Sequence, residues 1–354
     1  MSKLFSKLFY IFFLSFFLSG NAQVNLDSLW SVWNDTNQYD TIRLEALQKI
    51  TMDYYMFSNL DSAHYFAKLI YDFAKINDRK IWIAEALNNQ GILMHSKRNY
   101  KKALSCFERS LNISEKIEYE KGRASSLGNI GLIYDLQEDY SNALIYYKKA
   151  LNISEKIGDK YGIAKALGNI GTIYDLNGKS NLGLEYYKKA LNIFYDLNDK
   201  KGISIYLTNI GVLYKQQGKH HMALEYYYKA LSIEKKTSSS HGLSFIYYSI
   251  AIIYKQQEKL SLATNFLLKA KKIQEELNTI NNLDNTTWNL YEIYKKIGDN
   301  KKALEMHELY ITVKDSLTKM DAKEELYKFE IDKEYLLKKQ ADSIENANAV
   351  MIQK

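Results

Sequence analysis

Asparagine recurs in this 354-residue sequence at a fixed interval. Asn89, Asn129, Asn169, Asn209 and Asn289 occupy one column of a 40-residue period, with Ser249 between the last two. A side-chain amide donates and accepts at once. A row of amides can therefore hold the N–H and C=O groups of an extended peptide without reading its side chains. The same row can instead bond between neighbouring repeats, a structural role, and the residues alone leave both open. A second column, His95, Asp135, Asp175, Lys215, Lys255 and Lys295, passes from acidic to basic along the chain. On the same surface as the amides it would fix the direction of a bound segment by complementary charge. On a helix edge it is ordinary solvated charge.

Other constellations lack the partners that their chemistry needs. Gly178-Lys179-Ser180 has the end of a phosphate-binding loop, but Ile173 stands where the first glycine is required. His220 and His221 point to different sides of a helix start, with no further ligand at metal-binding spacing. Cys106 has no positioned histidine and aligns with Tyr146 and Tyr186, which marks a packing position. Asn112-Ile113-Ser114 and Asn152-Ile153-Ser154 match a glycosylation sequon, but they are one repeat position inside predicted helices. The tyrosine pairs at 146–147, 186–187 and 226–227 read as packing and groove wall, with a sugar platform as the alternative. No catalytic, cofactor or metal site emerges, so the chain reads as a non-enzyme.

The elements that position these residues follow from the period. Seven blocks, from 41–80 to 281–320, fall into register without a gap. Leu127-Gly128-Asn129-Ile130-Gly131-Leu132-Ile133-Tyr134 returns as Leu167-Gly168-Asn169-Ile170-Gly171-Thr172-Ile173-Tyr174. Leu127, Gly131 and Tyr134 form one helical stripe, and Ala143, Tyr147 and Ala150 form a second. Each block is thus a helix pair. Gly178, Gly218 and Gly298 fall between the two helices of a block. Gly122, Gly162, Gly202 and Gly242 lie near the start of the next block, where they suit the chain reversal after a helix end. The column Gly91, Gly131, Gly171, Gly211 lies inside helices, where Gly costs about 1 kcal/mol against Ala. It implies close approach of another helix backbone, with the Ala103, Ala143, Ala223 column as its counterpart and the aromatic column filling the gaps.

The order Leu127, Ile130, Gly131, Tyr134, Ala143, Tyr147, Ala150 resembles the tetratricopeptide repeat. The resemblance covers blocks 41–320. It implies an all-α, right-handed superhelical solenoid of about seven helix-turn-helix repeats with a C-terminal helical extension. It also implies first helices that line a concave face, and a protein or peptide ligand held there. The Asn column resembles the asparagine ladder of some peptide-binding superhelices of that family. Two features depart from the family pattern. Glu155 stands where the family usually has Pro, and the unit exceeds the common length of about 34 residues, which predicts a longer second helix.

The flanks have their own signatures. Lys3 and Lys7, the apolar run Leu8–Leu18, and Gly20-Asn21-Ala22 read as a signal peptide over 1–22, cleaved after Ala22. The expectation is an exported bacterial protein, periplasmic or otherwise extracytoplasmic. The run is shorter than the roughly 20 residues that span a bilayer. The mature chain is therefore not expected to insert into a membrane unless it continues past Lys354. Residues 23–40 form an N-terminal capping segment. Residues 321–354 form a charged helix, in which Leu337, Ala341, Ile344 and Met351 mark a weak heptad seam. That helix is a candidate coiled coil or juxtamembrane linker, and a candidate homodimer contact. Loss of Lys3 and Lys7 takes the net charge from +7 to +5. That charge is too dilute for the basic face that nucleic acid requires. A single cysteine allows no intramolecular disulfide. The layout also resembles the extracytoplasmic half of bacterial membrane sensors. Those continue into a transmembrane helix and a kinase, nucleotide cyclase or DNA-binding output. Two expectations follow, a free-standing binding module and a sensory ectodomain.

Overall fold

The computed structural model describes residues 20–56, 59–237, 240–277 and 282–319. Residues 1–19 of the expected leader, and the expected helix 321–354, lie outside them. All regular structure among the described residues is helical. After Gly20–Asn34 come Asp40–Lys49, which continues as the π-helical turn Ile50–Tyr55, and then Leu60–Ile76. From Lys80 to Leu260 the helices start every 20 residues. Lys80–Ser96, Tyr100–Lys116, Glu120–Leu136, Tyr140–Lys156, Lys160–Leu176, Ser180–Asp196 and Lys200–Gln216 each have 17 residues. His220–Thr237, Ser240–Gln256, Leu260–Glu276, Leu283–Lys296 and a helix over 300–319 complete the row. The extra length of the repeat is therefore shared by both helices, and the second is not the longer one.

The turns between helices from Asn77 to Lys219, and those at 257–259 and 297–299, share one design. The middle residue is left-handed, with φ of 69° at Gly158, 72° at Gly178, 71° at Gly218 and 80° at Gly298. Arg98, Glu138 and Asn198 take the same conformation without glycine. The next N–H then reaches back five residues, as Asp159 N donates to Ser154 O at 2.9 Å and Lys179 N to Tyr174 O at 2.8 Å. This closes the helix end in the Schellman manner. Gly122, Gly162, Gly202 and Gly242 are not in these reversals. They lie within the first turn of the following helix, with φ outside the left-handed region. The N–H groups of Gly162 and Gly202 donate to the capping carboxylates of Asp159 and Asp199, each at 3.1 Å.

The chain divides into two compact units, with the boundary between Ser126 and Leu127. In the first unit the N-terminal helix covers the apolar edge of the first pair. Trp30 meets Phe66 edge-on at 5.2 Å, and Arg43 sits over the rings of Trp33 and Phe73 at 5.1 and 5.0 Å. In the second unit one core runs through successive pairs, and includes Leu167, Tyr187, Leu207, Ile210, Tyr227 and Ile250.

The helical glycines have a different cause from the one expected. What lies over Gly91 is the ring of Phe107, and over Gly131, Gly171 and Gly211 the rings of Tyr147, Tyr187 and Tyr227. A Cβ on Gly131 would lie 2.8 Å from the ring of Tyr147, and one on Gly211 would lie 2.7 Å from that of Tyr227. Backbone approach adds to this at Gly171, where a Cβ would be 3.2 Å from Gly183 O. The tyrosine pairs thus divide their labour. The second of each pair, Tyr147, Tyr187 or Tyr227, is buried on a glycine. The first packs on the tyrosine column of the preceding helix, Tyr146 stacked on Tyr134 at 5.3 Å and Tyr186 tilted against Tyr174 at 5.3 Å.

Candidate functional site

Each first helix of the second unit turns one side into the core and leaves the other open. Ile130, Ile170, Ile210 and Ile250 face inward and are buried. Asn129, Asn169 and Asn209 directly precede three of these core positions and Asn289 precedes the buried Leu290; all four amides are half-buried. Asn169 and Asn209 make no side-chain hydrogen bond among the described residues. Asn289 is structural: its Oδ1 accepts from Lys255 Nζ at 2.7 Å, and its Nδ2 donates to Asn285 O at 2.7 Å. Ser249 is buried. In the first unit Asn89 is buried, with its Nδ2 unpartnered. The column thus holds amides that are bonded within the chain, as at Asn289, beside amides that are not, as at Asn169 and Asn209 among the described residues.

The charged column is equally uneven. Asp175 accepts a hydrogen bond from Ser180 Oγ at 2.7 Å. Lys255 pairs with Glu292 at 2.5 Å, and Lys295 lies over the Tyr291 ring at 5.7 Å. Asp135 and Lys215 are half-buried and make no ion pair or hydrogen bond through their side chains among the described residues. Burial lifts the Asp135 carboxyl above its usual range and depresses the Lys215 ammonium below its own. The Tyr187 hydroxyl is 3.0 Å from Thr172 Oγ1, and both Asp135 and Asp175 act on it electrostatically. The Tyr147 hydroxyl is buried within charge reach of Asp135 and has no hydrogen-bond partner.

Large apolar groups share this open side. Ile205 is 46% exposed and Phe245 38%, one turn before Asn209 and Ser249 respectively. Val212 and Ile252 follow at half-burial. The period marks these positions, but only their exposure shows that they are available to a partner. A cleft of about 500 Å³ opens at Ile252, lined also by Lys255, Gln256, Asn289, Glu292 and Lys296 among others.

The residues whose spacing fails the chemical tests sit as follows. Cys106 is half-buried, and burial raises its thiol. His220 is half-buried with Nδ1 unpartnered. Among the described residues no three His, Cys, Asp or Glu side chains gather as a metal centre. Nor does any described helix have the length and apolarity to cross a membrane.

Comparison with known proteins agrees with this architecture. The tetratricopeptide repeat model matches residues 82–156, 123–196, 162–236 and 202–276. No curated protein matches the chain in sequence. Solved structures share the fold. A Rap protein complexed with competence and sporulation factor aligns at TM-score 0.62 and 17% identity, over 83% of this chain and 80% of that one. A signal-transduction ATPase with a tetratricopeptide repeat sensor, from Pyrococcus horikoshii, aligns at TM-score 0.61 and 16% identity. That alignment covers 86% of this chain and 48% of the ATPase. Aspartyl phosphate phosphatase F from Bacillus subtilis aligns at 0.56 and 17% identity, over 82% and 79%.

Proposed function

We propose that this chain, which belongs to the tetratricopeptide repeat family, binds an extended peptide segment along the open side of its first helices. A tetratricopeptide array is a protein-interaction module, so the partner is a protein or peptide. The observation that carries the peptide reading is the state of Asn169 and Asn209. Both amides are half-buried at one repeat position and lack intramolecular partners among the described residues. Polar groups partly withdrawn from water gain most from a partner that returns their hydrogen bonds. A peptide backbone offers that pattern at regular spacing. Ile205 and Phe245 add apolar area beside it.

Panning a randomised peptide library on the purified full-length chain tests this. Selected peptides should lose about tenfold or more in affinity to the double substitution Asn169→Ala, Asn209→Ala, which corresponds to about 1.4 kcal/mol. They should be indifferent to Ile145→Ala, which alters an exposed residue on a second helix. The opposite pattern would place binding elsewhere.

We further propose that the protein acts outside the cytoplasm, since residues 1–22 have the make-up of a cleaved leader. N-terminal sequencing of the exported protein should begin at Gln23, and a start at Met1 would refute cleavage.

A further inference from the structure

Resting on the peptide groove proposed above, the state of the charged column narrows the class of ligand. We infer that the bound segment carries a cation and an anion about six residues apart, seated on Asp135 and Lys215 respectively. Four observations support this. First, of the column in the second unit, Asp175, Lys255 and Lys295 already have partners in the chain, a hydroxyl, a carboxylate and a ring. Asp135 and Lys215 have neither ion pair nor hydrogen bond among the described residues, and both are half-buried. Their desolvation is already incurred, and a ligand charge of opposite sign meets them at lower effective dielectric than on an open surface. Second, the groups around Asp135 do not neutralise it. Asp175 has the same sign, and burial keeps the hydroxyls of Tyr147 and Tyr187 protonated. The charge complement to that end is a cation from outside. Third, Asn169 lies between the two charged positions and Asn209 lies on the helix of Lys215, both with amides free for a backbone. Fourth, Asp135 and Lys215 hold the same position two repeats apart.

The spacing follows from helix packing. Neighbouring packed helices lie about 8–10 Å apart axis to axis, so two repeats separate the charges by about 20 Å. An extended chain advances about 3.3 Å per residue, which places the opposite charges roughly six residues apart. The cation lies toward the earlier repeats, which fixes the peptide's direction.

The test uses a phage-displayed random dodecapeptide library on the purified full-length chain. Selected sequences should be enriched in Lys or Arg and in Asp or Glu, separated by about five to seven residues. Selection on Asp135→Asn should lose only the cation, and selection on Lys215→Gln only the anion. Each of these near-isosteric changes should weaken a peptide selected on the parent by about tenfold. The double exchange Asp135→Lys, Lys215→Asp should select the two charges in reversed order. Peptides that depend on Asn169 and Asn209 but show no charge pattern would overturn this inference and leave the groove standing. Survival of the charge pattern on both Asp135→Asn and Lys215→Gln would overturn it in the same way. A library that yields no binder would overturn both.

Discussion

Replacing Gly211 by Ala tests why glycine recurs inside these helices. The new Cβ would lie 2.7 Å from Cε1, 2.8 Å from Cδ1 and 3.2 Å from Cζ of Tyr227. Carbon atoms rest at about 3.5–4.0 Å, so the ring must withdraw by roughly 1 Å. Tyr227 is fully buried in the core of the second unit, where packing leaves little room. Overpacking of this kind costs about 1–3 kcal/mol. Alanine recovers about 1 kcal/mol of helix propensity, for a net loss of about 0–2 kcal/mol. Gly128→Ala is the internal control. Its Cβ would meet only the Ala150 Cβ, at 4.0 Å, so the propensity gain of about 1 kcal/mol should be retained. The two variants should therefore differ by about 1–3 kcal/mol. At a urea dependence of about 2–3 kcal/mol per molar, most of that range is a readily measured separation of unfolding midpoints followed by far-UV circular dichroism. If Gly211→Ala proves as stable as Gly128→Ala, docking of the ring is not what maintains the glycine.

Three further outcomes follow from particular contacts. The Tyr147 hydroxyl is buried without a hydrogen-bond partner whereas that of Tyr187 meets Thr172. Tyr147→Phe should thus be neutral or stabilising by up to about 1 kcal/mol, and Tyr187→Phe destabilising by about 1 kcal/mol; equal urea midpoints would contradict this. Lys179 precedes its helix without a side-chain cap, while Asp139 at the equivalent position accepts from Asn142 N at 3.0 Å. Lys179→Asp should stabilise by about 1 kcal/mol, seen as a higher thermal midpoint. Burial raises the Asp135 carboxyl in the folded state, so its charged form opposes folding. Asp135→Asn should be more stable than the parent at pH 7. The advantage should shrink as pH falls through the raised carboxyl range toward the ordinary one, and urea midpoints at pH 7 and pH 4 check the trend.

Much of the candidate face is legible in the sequence because repeats carry position as well as composition. The period alone aligns Asn169 with Asn209 and Asp135 with Lys215, and it separates the core stripe of each helix from the open one. It does not separate the members of a column. Lys255 and Lys215 are equivalent in register, yet only Lys255 meets a carboxylate, because Glu292 stands on the next first helix. Asn289 is drawn into the same contact. Partners of this kind come from residues 34 and 37 positions away, and local pattern is blind to them.

The glycines show the same division. That a helix must be closely approached at Gly131, Gly171 and Gly211 was determined by the sequence, because glycine there costs helix propensity without return. That the approaching group is a tyrosine ring and not an alanine helix was decided by the tertiary structure, through the way the two helices of a pair pack. Proximity to a helix end suggests turns at Gly122 and Gly162, but the three-residue turn ends sooner and places them inside the next helix. Periodicity determines which side of each element is buried, since burial of an apolar stripe depends on spacing alone. Only packing decides which polar groups on the other side are already satisfied, and so which remain for a partner.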